Sequence, residues 1–237
     1  MNKPRILSSG LTSLLLVLGV SVAQADVLPP LGLNPGDQFR LIFVSSQTRV
    51  SDEANFGPLD AFVTGLASAA GLGVYNGTPV GWHVLGSQSS PGLSAIDRLP
   101  NSVVPIYDTH KDLVANVAHD IWSGALLHAI DYTEAGVILD TLVWTATLLN
   151  GHVPPNNQGL GDFGDEIVGS SSASDSTWVD FGEAFNLNPP HSFYAFSDVI
   201  TVAAPVSAPS SLTLFLMTAP VLGVGFWLGW KRPEGAA

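Results

Sequence analysis

The stretch SFYAFSDVITV, Ser192–Val202, decides how this chain folds. Phe193, Ala195, Ser197 and Val199 alternate with Tyr194, Phe196, Asp198 and Ile200. A period of two among aromatic and β-branched residues marks a strand. FRLIFVS, Phe39–Ser45, has the same character near the other end of the folded region. Between them, Leu59, Phe62, Val63, Leu66, Ala67 and Ala70 recur at helical spacing, with Pro58 near the first turn and Gly71 at the end. That stripe predicts one amphipathic helix. Asn76-Gly77 predicts a tight turn, and VGWHVL, Val80–Leu85, a short strand. VVPIY, Val103–Tyr107, predicts another, which Pro105 assigns to an edge or an irregular position.

From Asp108 to Gly169 turn residues are dense, with strand character in ILDTLVWTAT around Val143–Thr145. GSSSASDS, Gly169–Ser176, predicts a flexible polar stretch, and STWVDFG, Ser176–Gly182, a short strand. One helix, several short strands and a loop-rich middle give the α+β class.

Composition narrows the function. Between Asp26 and Val206 nineteen acidic residues face four basic ones, Arg40, Arg49, Arg98 and Lys111, a net of −15. Such a surface repels phosphate backbones, which excludes nucleic acid as a partner, and it attracts cations. Cysteine is absent, so no disulfide framework exists and the core alone must hold the fold.

Both ends carry address signals. Lys3 and Arg5, an apolar run from Leu11 to Ala23, and the small-x-small site Ala23-Gln24-Ala25 predict a cleaved secretory leader over residues 1–25. Leu212–Trp230 is uncharged and, as a helix, spans roughly 28 Å, about a bilayer's hydrocarbon core. Trp227 and Trp230 stand at its end, followed at once by Lys231 and Arg232. These features predict a membrane helix over 212–230 with a basic cytoplasmic stub over 231–237. The alternative, a buried core helix, needs a polar face that this segment lacks.

The layout of short motif, apolar helix and basic cluster resembles the PEP-CTERM sorting signal of Gram-negative bacteria. Val206-Ser207-Ala208-Pro209-Ser210 holds the motif's place in the linker 205–211. Ser207 stands where that family has its first proline and Ala208 where it has glutamate. The resemblance implies sorting at Ser207, Ala208, Pro209, Lys231 and Arg232, an exosortase-like processing partner, and an association with exopolysaccharide. A second resemblance covers about Asn34–Val202. VPIYDTHKDLVANVAHDIWSG (Val104–Gly124), IDYTEAG (Ile130–Gly136), VWTAT (Val143–Thr147), STWVDFG and FYAFSDVITV are similar, in order, to the C-type-lectin-like domain, especially its endostatin-like branch. That resemblance implies a domain over 26–204 with one main helix, paired terminal strands and a long loop-rich middle.

Chemistry is sparse. Trp82, Trp122, Trp144 and Trp178 sit among apolar neighbours, which points to core packing. The six histidines form no zinc pattern, although His110 and His119 flank Asp112 and Asp120. Gly159–Gly164 matches G-x-G-x-x-G but follows no strand, so it reads as a loop without a phosphate. Asp162, Asp165 and Glu166, three carboxylates within five residues, are the candidate Ca²⁺ ligands, the alternative being a solvated acidic turn. No nucleophile elbow is present, and no catalytic residue is assigned. The expected function is therefore a non-enzymatic, membrane-anchored module of the cell envelope or extracellular matrix. An exported hydrolase acting on polysaccharide or peptide and a calcium-dependent adhesin are the alternatives.

Overall fold

The computed structural model describes residues 27–52, 55–90, 92–100, 103–155, 158–162, 165–184 and 190–204. Its strands are β1 (Gln38–Val44), β2 (Val74–Tyr75), β3 (Thr78–Pro79), β4 (Trp82–Val84), β5 (Ile106–Asp108) and β6 (Leu113–Ala115). β7 (Leu142–Trp144), β8 (Glu166–Ser170), β9 (Gly182–Ala184), β10 (Ser192–Ser197) and β11 (Ile200–Thr201) complete them. Among the described residues helices are few: α1 (Phe56–Ala69), α2 (Ala95–Arg98) and two 3₁₀ turns, Ala118–Ser123 and Ser176–Trp178. The result is a mixed α+β fold around one curled sheet, in the order β6-β5-β1-β10-β7-β8-β9.

β1 and β10 are its centre, antiparallel with Ile42 opposite Phe196 and Val44 opposite Tyr194. Both strands are buried on two faces, so their alternation feeds two cores. Phe39, Leu41, Phe43, Phe193 and Ala195 enter one core, beside Trp82 and Trp144. Ile42, Val44, Tyr194 and Phe196 enter the other, beside Trp122 and Trp178. α1 covers the first face with Phe56, Leu59, Val63 and Ala67. The second face is covered by α2, the 3₁₀ turns and the loops around them. All four tryptophans of the folded region are buried, as their apolar surroundings predict. Trp82 Nε1 donates to Leu72 O and Trp144 Nε1 to Arg49 O, so these two rings are satisfied inside.

α1 starts where Asn55 accepts a hydrogen bond from Gly57 N at 3.0 Å and ends at Gly71, with φ +82°. Asn55→Ala is expected to lower stability by about 1 kcal/mol in chemical denaturation, with the sheet unchanged. Asn76 and Gly77 both have positive φ, the geometry that joins β2 to β3.

One irregularity organises a surface. Phe43 pairs Ala195 and Ile42 pairs Phe196, but Phe39 pairs Ile200 and Gln38 pairs Thr201. Between those pairs the β10–β11 side carries one residue more than β1, which is a bulge. Ser197 Oγ fills the gap by accepting from Leu41 N at 2.9 Å and donating to Asp198 O. Asp198 is thereby turned to solvent, and Ile200 returns to the core under α1.

Several expectations need correction. The expected fold class included a transmembrane helix. Among the described residues no helix is long and apolar enough to cross a membrane, and 212–230 lies outside them. The leader residues Ala23 and Ala25 and the sorting residues Ser207, Ala208, Pro209, Lys231 and Arg232 also lie outside. β5 is not an edge, because it runs parallel to β1 on one side and antiparallel to β6 on the other, but its pairing with β6 is irregular between Ile106 and Tyr107, the other half of the expectation. Pro105 stands just before the strand, so its missing N–H is not needed, and its carbonyl accepts from Arg40 N. Ser176–Trp178 is a 3₁₀ turn rather than a strand, because Asp175 accepts from Thr177 N and Thr177 Oγ1. Gly169–Ser176 is not a free stretch. It begins in β8, and buried Ser171 donates to Leu139 O while accepting from Thr141 N.

Candidate metal centre

β5 carries the site's key residue. Its alternation puts Asp108 on the same side as buried Ile106, so the carboxylate is directed inward from an interior strand and is fully buried. The turn from β5 to β6 then folds tightly around it. Asp108 N donates to Asp112 O, Lys111 N to Asp108 O, and Asp112 N to Asp108 Oδ1 at 2.9 Å. Closing that turn puts Lys111, a non-glycine residue, at φ +81°.

A second segment brings the histidine. Leu127 N donates to Val114 O beside β6, and Thr109 Oγ1 donates to Thr133 O. Val44 N donates to Tyr132 O, so the 127–133 segment is tied to β1 as well. These contacts set His128 Nδ1 3.4 Å from Asp108 Oδ2 and Nε2 3.9 Å from Asp112 Oδ2. His128 Nδ1 also lies 3.0 Å from the carbonyl of Ala129. A carbonyl only accepts, so Nδ1 is the donor in that contact, and Nε2 is the ring nitrogen on the side of Asp112 that a cation would take. His110 Nδ1 approaches Asp112 Oδ2 at 2.9 Å, and its ring stacks on Tyr132, centroids 4.6 Å apart at 7°.

Asp108, Asp112 and His128 form the one group of three ligating side chains among the described residues whose donor atoms all lie within 4.8 Å of one another. Asp108 Oδ2 is buried and makes no hydrogen bond. Burial pushes the Asp108 pKa up, and the charge of Asp112 adds to that rise, against the Asp112 N–H and His128. Lys111 faces Asp108 electrostatically, but burial lowers its own pKa. An oxygen desolvated without a donor, beside a second carboxylate, is what a bound cation relieves.

The sequence-derived carboxylates do not assemble in this way. Asp162 Oδ2 accepts from Gly159 N at 2.8 Å and serves its own loop. Asp165 is half-buried beside it in sequence. Glu166 opens β8 with its side chain inside the protein, where Oε1 accepts from Gly161 N at 3.0 Å. Burial pushes its pKa up to about 8, against the lowering effect of Ser51 and the Gly161 N–H. The three do not share a ligating cluster. Gly159 has a packing reason to be glycine, because a Cβ there would stand 2.3 Å from Ser89 N. Of the flanking pairs, His110 and Asp112 do meet, whereas His119 is exposed and stands outside the cluster. His128 carried no sequence signal, since its partners lie on a different strand turn.

No protein-family model matches the chain, and no curated protein matches it.

Proposed function

We propose that the chain is an exported, non-enzymatic binding module of the cell envelope or extracellular matrix. It holds a divalent transition-metal ion at Asp108, Asp112 and His128 and presents that ion to an oxygen-rich polymer such as exopolysaccharide. The observation that carries the reading is the buried Asp108 Oδ2 without a donor, facing one further carboxylate and one imidazole. Imidazole suits zinc, copper or nickel, whereas calcium takes six to eight oxygens. A nitrogen in so small a set therefore favours the zinc class over the calcium expected from Asp162, Asp165 and Glu166. Asp112 and His128 remain partly exposed at 43% and 39%, so three protein ligands leave a coordination position facing solvent.

An open position of that kind also serves hydrolysis, which keeps an exported hydrolase as the second reading. Catalysis of that type relies on a water-excluding site, and the exposure of Asp112 and His128 is better suited to docking a large partner. The test is retention of the cells' own exopolysaccharide on immobilised protein. Zn²⁺ is expected to increase retention at least tenfold and a chelator to reverse it. Retention indifferent to both would refute the metal bridge, and turnover of a glycan or peptide panel would move the reading to the hydrolase.

A further inference from the structure

Two of the four basic residues between Asp26 and Val206, Arg40 and Arg98, line a single depression. Its volume is about 250 Å³, and His83, Pro100, Phe196 and Asp198 complete the wall. Arg40 is only 6% exposed. Its Nη1 donates to Ser197 O at 2.6 Å, while its buried Nε makes no hydrogen bond. Arg98 is fixed from three sides. Nη2 donates to Asp60 Oδ1 at 2.7 Å, Nε donates to Val84 O at 3.0 Å, and the guanidinium lies 3.4 Å above the Phe56 ring.

His83 stands between two carboxylates, with Nε2 3.1 Å from Asp198 Oδ1 and Nδ1 3.6 Å from Asp60 Oδ2. Asp60 first, then Asp198, raises its pKa against the cost of burial. An imidazole held in this way has its cationic form favoured, which makes it a poor general base. The groups facing it are thus Asp60, Asp198, Arg40 and Arg98. With His83 in that cationic form, three cations meet two carboxylates, so one positive charge stands in excess within a strongly acidic domain.

We propose that this depression is an anion site that takes one carboxylate group. Planar guanidinium groups match carboxylate geometry, and two of them, Arg40 and Arg98, line this one depression beside His83. A monoanion balances the local charge, whereas a dianion would leave an excess beside Asp198. The bulge builds the site by turning the Ser197 carbonyl to Arg40 and Asp198 to His83. At the small end of ligand pockets, the volume suits a single carboxylate-bearing unit rather than a long segment. No residue is shared with the metal set, so the site stands or falls separately from it.

The test is a chemical-shift titration of the full chain at pH 6 with four probes: glucuronate, acetate, sulfate and glucose. Glucuronate is expected to bind at least tenfold more tightly than glucose, and either carboxylate more tightly than sulfate. Acetate equal to glucuronate assigns a bare carboxylate, and glucuronate well above acetate assigns a sugar-borne one; both support the site. Replacing either arginine endangers the core, so the informative variant is His83→Gln at the surface. It should bind glucuronate about tenfold more weakly, and the loss of affinity that the unmodified protein shows from pH 6 to pH 9 should vanish. Glucose matching glucuronate, sulfate exceeding both carboxylates, or an unchanged His83→Gln affinity overturns the proposal.

Discussion

Glu166→Gln is expected to stabilise the protein by on the order of 3 kcal/mol at pH 8 and to change it little near pH 4. The cause is a carboxyl group held where an ionised form is costly. Glu166 is fully buried, its one well-placed donor is the Gly161 N–H on Oε1, and the Ser51 hydroxyl offsets the burial only in part. Burial lifts its pKa from 4.5 to about 8. The folded protein therefore keeps a proton that the unfolded chain has already released. The stability tied to this group is full below about pH 4.5 and is lost as pH climbs through about 8. Glutamine has the same shape and no charge to expel, so its melting temperature should not fall across that window on this account. Thermal melts of both proteins from pH 4 to pH 9 check the point. Parallel curves would mean that the carboxyl ionises inside at no cost.

Asp108→Asn is expected to weaken Zn²⁺ binding about a hundredfold or more while leaving the metal-free protein at least as stable. The two effects have opposite signs for one reason. Without a cation, Asp108 Oδ2 is a buried acceptor lacking a donor beside the charge of Asp112. Asparagine removes that charge and keeps the oxygen that accepts from Asp112 N. With a cation present, the same change removes the ligand most desolvated and best fixed by the fold. Calorimetric titration reads the affinity, and a melt without metal reads the stability. His128→Ala should lose affinity comparably, whereas Asp162→Asn should not, because Asp162 caps Gly159 away from the cluster. Equal affinity across these variants would place the metal elsewhere or nowhere.

The elements that dominate the fold were legible because their patterns are local. Alternation in 192–202 and 39–45 marked the two central strands, and the spacing of Leu59, Val63 and Ala67 marked the helix over the first core. Asn76-Gly77 marked its hairpin by backbone geometry alone. The bulge was hidden, because an extra residue exists only relative to a partner strand. Ser171 looked like a solvent residue, yet its hydroxyl is satisfied inside by Leu139 O and Thr141 N. Pro105 pointed to the irregular pairing of β5 but not to its interior place, since the proline stands just before the strand. The candidate site escaped for the same physical reason as the bulge. Asp108 is buried because β5 pairs with β1, and His128 reaches it because 127–133 is tied to both β1 and β6. Glu166 sat in an acidic loop that looked solvated, and only the start of β8 turns it inward.

The most direct measurement is X-ray absorption at the zinc edge on the full chain after Zn²⁺ loading and desalting. About one equivalent of zinc is expected to be retained in a four-coordinate shell of one imidazole nitrogen and oxygens at ~2.0–2.2 Å, and to be lost in Asp108→Asn. Zinc that washes off, or a retained ion in a shell without imidazole, would contradict the metal centre.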